Sequence, residues 1–285
     1  MRKRKKKQMM TTKEKIRNSI LAYVLGDAMG VPYEFSKAGT FRYICTGYGT
    51  HDQPIGTWSD DTSIMLCLLD ALTMKNTLEE QVQEYKENLR EMFYQGRFTV
   101  DGRMFDIGYQ VKTSIVENFP TKPSKRYGNG CFFYSLPLAV YLLQEDDLHL
   151  RNEYFRKFVT VTHNNSIAIS SAFTWSEVLR EVFKGNDPWT THENKGVERF
   201  RDHAMDALST HDLLEYVCYH CVKEGLKLNQ VLKLVIELGG DTDTNAALVC
   251  SCIGINSSKV NTKNIRGMEV VSPIVEKFLM LDRWN

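Results

Sequence analysis

Residues 60–74 read DDTSIMLCLLDALTM and residues 239–250 read GGDTDTNAALVC. In each, two carboxylates and a hydroxyl stand at the head of a segment that is apolar nearly all round. A helix apolar on every face belongs in the interior rather than on the surface. Each stretch therefore predicts a central helix whose acidic start is buried with it. Such helices need others around them, and the periodicity supplies them. Ile16, Ile20, Leu21, Val24 and Leu25 recur at spacings of three and four and predict a helix over 12–29. Further helices are expected over 78–93, 103–117, 130–144, 150–160, 166–183, 196–207, 211–224, 228–237, 244–255 and 272–280. Alternating strand patterns are scarce. Residues 41–48 offer one short candidate, but their Gly and Thr content reads as a loop. No repeat and no long linker interrupts the pattern, so the expected fold is all-α, one domain over 12–285 behind a basic arm over 1–11.

With 285 residues, 42% hydrophobic and 25% charged, the chain can bury a substantial core. Its net charge of +1 conceals an asymmetry, since Arg2, Lys3, Arg4, Lys5, Lys6 and Lys7 carry six positive charges and leave −5 on the rest. Nucleic acid is thus not an expected partner except through that arm, which reads first as a solvated tail and second as a nuclear-import or polyphosphate-binding signal. No apolar stretch follows it, as a secretory signal would require, and no apolar run nears the ~18 residues that span a bilayer. A cytoplasmic monomer is expected. The seven cysteines suit free thiols, and Cys218 and Cys221 read as buried helical thiols because no second ligand pair of suitable spacing accompanies them.

The chemistry concentrates in Gly56-Thr57-Trp58-Ser59-Asp60-Asp61-Thr62 and Gly239-Gly240-Asp241-Thr242-Asp243-Thr244. Capping is the ordinary explanation of either alone, because Ser, Thr and Asp suit an N-cap and acids suit the helix dipole. One side chain caps a helix, however, and each cluster offers two carboxylates with no Lys or Arg inside the motif. Ionised acids near a core are costly unless neutralised. Hard divalent cations prefer such oxygen donors, and the lack of a matched His/Cys set argues against zinc. Two loops add weaker signals. Gly128-Asn129-Gly130 precedes an apolar helix and could aim amides at an anion. Gly26-Asp27-Ala28-Met29-Gly30-Val31-Pro32-Tyr33-Glu34 ends the first helix and leaves Glu34 as a loop carboxylate.

Taken together, GDAMGVPYE, the SDDT tetrad, DIG at 106–108, GNG at 128–130, THNNSIAI at 162–169 and GGDTDTNAA resemble, in order, the motifs of the ADP-ribosylglycohydrolase family, which includes the dinitrogenase-reductase-activating glycohydrolases. The resemblance implies an all-α orthogonal bundle with two Mg2+ (or Mn2+) ions in a central cleft. It implies metal ligands at Ser59, Asp60, Asp61, Asp241, Asp243 and Thr244, and a gate or general base at Glu34. It also implies a cleft-lining Asp106, with Asp60 and Asp61 counted beside these in the catalytic set, and ADP-ribose contacts at Gly108, Gly128, Asn129, Gly130 and His163. The implied reaction is hydrolysis of the glycosidic bond between ADP-ribose and an acceptor, the partner being an ADP-ribosylated protein or other conjugate. The alternative is a non-catalytic, ADP-ribose-binding or crystallin-like member, in which the acidic clusters should have eroded. One departure stands out: after GNG the family commonly has a small residue and then Ala-Met-Arg, whereas this chain has Cys131-Phe132-Phe133-Tyr134, whose rings either stack on a ligand or belong to the core.

Overall fold

The computed structural model describes residues 10–74, 77–189, 197–202 and 205–284. Its helices are α1 (Thr12–Gly30), α2 (Asp60–Met74), α3 (Leu78–Gln95), α4 (Tyr109–Val116), α5 (Ser135–Tyr141), α6 (Leu148–Val159), α7 (Ser166–Lys184), α8 (Ala207–Lys223), α9 (Leu228–Ile236), α10 (Thr242–Gly254) and α11 (Met268–Leu279). No β-strand occurs among the described residues, and the all-α expectation holds. Most of the basic arm, residues 1–9, lies outside the described residues. Thr11 caps α1: its side chain accepts the Glu14 N–H, and the Glu14 carboxylate accepts the Thr11 N–H in return.

The apolar stretches are central, as their composition requires. Every residue of α2 from Asp60 to Leu72 is buried, and so are nearly all of α10. α1 packs along α10 at unusually short range because small residues face each other. A Cβ on Gly26 would stand 2.2 Å from the Ala246 carbonyl oxygen, and one on Gly30 would stand 2.4 Å from Asp243 Cα. The Ser19 and Thr242 hydroxyls donate across the same seam to Ser251 O and Gly30 O, both at 2.8 Å. This seam carries the GDAMG segment onto the start of α10.

Three helix expectations need correction. The helix expected over 103–117 begins only at Tyr109, because Asp106 takes a left-handed backbone (φ 56°) that no helix accommodates. The helix expected over 130–144 divides into a 3₁₀ turn (Asn129–Tyr134) and α5. Pro137 has no N–H to give to Phe133 O, so the α-ladder cannot run through, and Ser135 N–H bonds instead to Phe132 O. The helix expected over 196–207 is, among its described residues, a single 3₁₀ turn (Val197–Phe200), and α8 starts at Ala207 because Asp206 caps it by accepting the N–H groups of Leu208 and Ser209. The segment 41–48 is loop. Cys218 and Cys221 are buried free thiols in α8. No helix of the described residues is long and apolar enough to cross a membrane.

Candidate active site

The start of α2 is capped without using Asp60 or Asp61. Asp27, fully buried in α1, accepts the N–H of Ser59 at 2.9 Å, the N–H of Thr62 at 3.0 Å and the Thr62 hydroxyl at 2.6 Å. The Ser59 hydroxyl accepts the Asp61 N–H at 3.2 Å. The N–H groups of Asp61 and Thr62 in the first turn are therefore met by Ser59 and Asp27. Asp60 is left to accept the N–H of Gly108 at 3.3 Å, and Asp61 Oδ2 is buried with no hydrogen-bond partner among the described residues.

The start of α10 is built by two successive glycines with positive φ, Gly239 (72°) and Gly240 (73°). That turn lets Gly240 exchange backbone bonds with the chain beyond Glu34: Phe35 N–H to Gly240 O at 2.8 Å and Gly240 N–H to Ser36 O at 3.2 Å. Glu34 is thereby clamped beside Asp241. Asp241 occupies the cap position but makes no side-chain cap bond. It instead accepts Asn129 Nδ2–H at 2.5 Å, and Asp243 accepts the N–H of Thr244 at 2.9 Å. Oxygens of Glu34, Asp241 and Asp243 lie within 4.8 Å of one another. Capping thus explains none of Asp60, Asp61 and Asp241, and accounts for only one oxygen of Asp243, which meets the Thr244 N–H.

A cavity of about 620 Å³ opens over these acids, within the range of small-molecule sites. Glu34, Asp60, Asp61, Asp106, Asp241 and Thr244 form its acidic side, and Gly108, Gly128, Asn129, Gly130 and His163 line it as well. Two candidates sit off its wall. Asp243 is buried behind Glu34 and Asp241, and Ser59 borders a separate cavity of about 250 Å³ with Trp58 and Asp101. Of the departing segment, only Phe133 reaches the main cavity. Phe132 and Tyr134 are core, the Tyr134 hydroxyl bonding to that of Thr162 at 2.5 Å. Arg126 also lines the cavity, its guanidinium over the Tyr109 ring at 4.3 Å, with no carboxylate partner among the described residues.

Burial pushes the carboxyls of Asp60, Asp61 and Asp243 well above the usual range, and the charges of neighbouring acids add to it. Burial raises Asp241 also, against bonds from Asn129 and Thr244, and takes Asp27 up to about 6. Glu34 rises to about 8 through burial and the charges of Asp106 and Asp241, opposed by a hydrogen bond from His51. His163 falls to about 3 through burial, so its ring is neutral. Among the described residues no Lys or Arg pairs with Asp27, Asp60, Asp61, Asp241 or Asp243. A crowd of desolvated oxygens with an unpartnered Asp61 Oδ2 is a donor set that fits hard divalent cations.

Three contributors escape the sequence reading. Asp27 had a signal available: it follows Ile20 and Val24 at helical spacing, which puts an acid on the buried face of α1. His51 had none, being an isolated loop histidine, yet its Nε2 meets Glu34 and lies 3.6 Å from Asp106. Gln110 is the third; its side chain accepts the Gly128 N–H at 2.8 Å and donates to Arg126 O at 3.3 Å, tying the glycine loop to α4.

The ADP-ribosylglycohydrolase family model matches residues 8–257. An uncharacterized protein of Archaeoglobus fulgidus is 21% identical across 90% of this chain and 92% of its own length. Two proteins named ADP-ribosylarginine hydrolase Tri1 are also similar. That of Pseudomonas putida is 28% identical over 61% of this chain, and that of Serratia proteamaculans 26% identical over 45%. The matches span only 48% and 37% of those two proteins. A solved chain described as an ADP-ribosylglycohydrolase-related protein complex superposes with a TM-score of 0.69 over 95% of this chain and 99% of its own, at 20% identity, which speaks to the fold.

Proposed function

The chain belongs to the ADP-ribosylglycohydrolase family, and on that premise we propose that it hydrolyses the glycosidic bond joining an ADP-ribose unit to an acceptor, with two Mg2+ or Mn2+ ions as cofactors. The observation that carries this reading is the convergence of Asp60, Asp61 and Asp241, surplus to capping, beside Glu34 at one cavity, with Asp243 buried against Glu34 and Asp241. The ions would be held by these four aspartates with Ser59 and Thr244. When bound, they supply Lewis-acid polarisation of hydroxyl and water oxygens.

The chain's own groups do the rest. Cleavage at a ribose C1 builds oxocarbenium-like positive charge, which a carboxylate-lined floor stabilises. Glu34, which lines the cavity beside Asp241, takes or delivers a proton at its Oε. Asn129 fixes Asp241, and Gly108 N–H fixes Asp60. Gly130 leaves room for the His163 ring, since a Cβ there would stand 3.0 Å from it and push it aside. Arg126, which also lines the cavity, offers its guanidinium to the diphosphate, and Phe133 offers apolar contact.

ADP-ribosylarginine is the acceptor linkage to test first, since two relatives are named for it. The test is release of ADP-ribose from ADP-ribosylarginine peptide, beside serine-linked and nucleic-acid-linked conjugates, with and without EDTA. Cleavage that stops in EDTA and returns with Mg2+ or Mn2+ is the expected result. Undiminished cleavage in EDTA, or none of any conjugate with either metal, would overturn it.

A further inference from the structure

His51 stands in a loop whose construction serves to bring it to Glu34. The loop folds on itself through Tyr48 N–H to Gln53 O at 2.6 Å and Asp52 N–H to Gly49 O at 3.2 Å. It is then fastened to the segment leading into Glu34: Thr50 N–H bonds to Pro32 O at 3.2 Å, and the Thr50 hydroxyl to Glu34 O at 2.5 Å. Gly49 permits this contact, since a Cβ on it would lie 1.7 Å from Pro32 O. Gln53 Nε2–H holds His51 O at 3.0 Å. The Phe35 and Phe105 rings flank the imidazole, with centroids at 6.3 and 5.6 Å.

The local backbone is strained. Phe35, Tyr48, Asp52 and Asp106 all have left-handed φ, between 51° and 61°, without being glycine. Each costs on the order of 1 kcal/mol, and such strain persists where the surrounding structure over-determines it. Here it surrounds a single imidazole.

Nε2 of that ring faces carboxyl groups of both Glu34 and Asp106, and hydrogen bonding to Glu34 raises the imidazole's pKa, which favours the proton on the ring. Glu34 is shared by two groups of potential ligands. Its oxygens lie within 4.8 Å of those of Asp241 and Asp243, and equally within 4.8 Å of His51 and Asp106. One carboxylate cannot serve both fully. We propose that His51 is a positioning residue whose Nε2–H holds the Glu34 carboxylate at the cleft wall, beside the divalent-ion ligands but outside their set. Glu34 thereby stays available to the substrate instead of closing on the cations. The inference rests on the hydrolase reading for what Glu34 does, but not for where His51 holds it.

Three measurements on the full chain test it: Mn2+ binding by calorimetry without substrate, thermal melting in EDTA, and kcat and KM on ADP-ribosylarginine peptide. In His51→Ala, kcat falls roughly 10- to 100-fold, as misplacement of a reacting group does, while KM changes less than about threefold. Mn2+ binds at least as tightly as to the wild type, because the released Glu34 adds a negative ligand. His51→Gln, whose amide can still donate to Glu34, recovers part of the lost kcat. An unchanged kcat in His51→Ala, or equal losses in the two variants, overturns the proposal. So does weaker Mn2+ binding together with a lower Tm, which would make the imidazole merely part of the loop's packing. If the wild type cleaves no conjugate, the hydrolase reading fails, and the Mn2+ titration of His51→Ala still decides the placement of Glu34.

Discussion

At the head of α3 the Thr77 hydroxyl accepts the N–H of Glu80 at 3.3 Å, and the Glu80 carboxylate accepts that of Thr77 at 3.2 Å. At the head of α10 Asp241 makes no cap bond to the backbone of its own helix, and its carboxylate reaches across to Asn129. The residue types are alike and the surroundings are not. Glu80 is in water, where a carboxylate bonded to a helix terminus costs little. Asp241 and Asp243 are buried among other acids, where the same group is expensive unless a cation joins it. An acid that completes a cap is explained by its helix, and an acid left over after capping asks for a ligand.

The sharpest way to break this contrast is at its buried end. Asp243→Asn should lower kcat/KM on ADP-ribosylarginine peptide by at least about 100-fold, or ~2.7 kcal/mol of barrier, while Tm in EDTA stays level or rises because a buried charge is gone. A variant with full activity, or a much lower Tm, would return Asp243 to a structural role. Asp27 tests the middle ground, being a buried acid that does cap. Asp27→Ala strands three buried donors and should cost about 2 kcal/mol or more in urea unfolding. A stability loss no greater than that of Asp243→Asn would erase the distinction between capping and surplus acids.

The same contrast has a pH signature. Burial lifts Glu34 from an ordinary 4.5 to about 8. An acid whose folded pKa is raised binds its proton more tightly in the fold, so its contribution is full below about pH 4.5 and is lost as pH rises through about 8. Melting in EDTA should therefore show Tm falling across that window, with Mg2+ restoring more at pH 8 than at pH 5. An effect of Mg2+ that does not depend on pH would argue against acids crowded in a dry cleft. The smallest effect belongs at the exposed end: Thr77→Ala should cost ~1 kcal/mol of stability and leave turnover unchanged, and a loss of activity there would show that α3 is coupled to the site.

Much of the candidate site was legible because its residues recur as compact motifs. Asp60, Asp61, Asp241 and Asp243 stand in pairs at the heads of apolar helices, and no periodic packing pattern calls for them there. His51 was not legible, since one loop histidine carries no period and acquires meaning only where the chain folds back on Pro32 and Glu34. Nor could spacing separate Phe133, which faces the cavity, from Phe132 and Tyr134, which are core; a 3₁₀ turn imposed by Pro137 made that choice.

By itself the sequence determined that the chain would be all-α around two apolar helices, because burial of apolar faces is written in composition and period. It also determined that each of those helices would begin with more acid than a cap consumes. Only the tertiary structure decided that the two beginnings meet. That outcome depends on the glycine seam between α1 and α10 and on the Gly239–Gly240 turn, where the absence of side chains sets the distance of approach. Absence of bulk at a few positions shows in a sequence, but what it brings together does not.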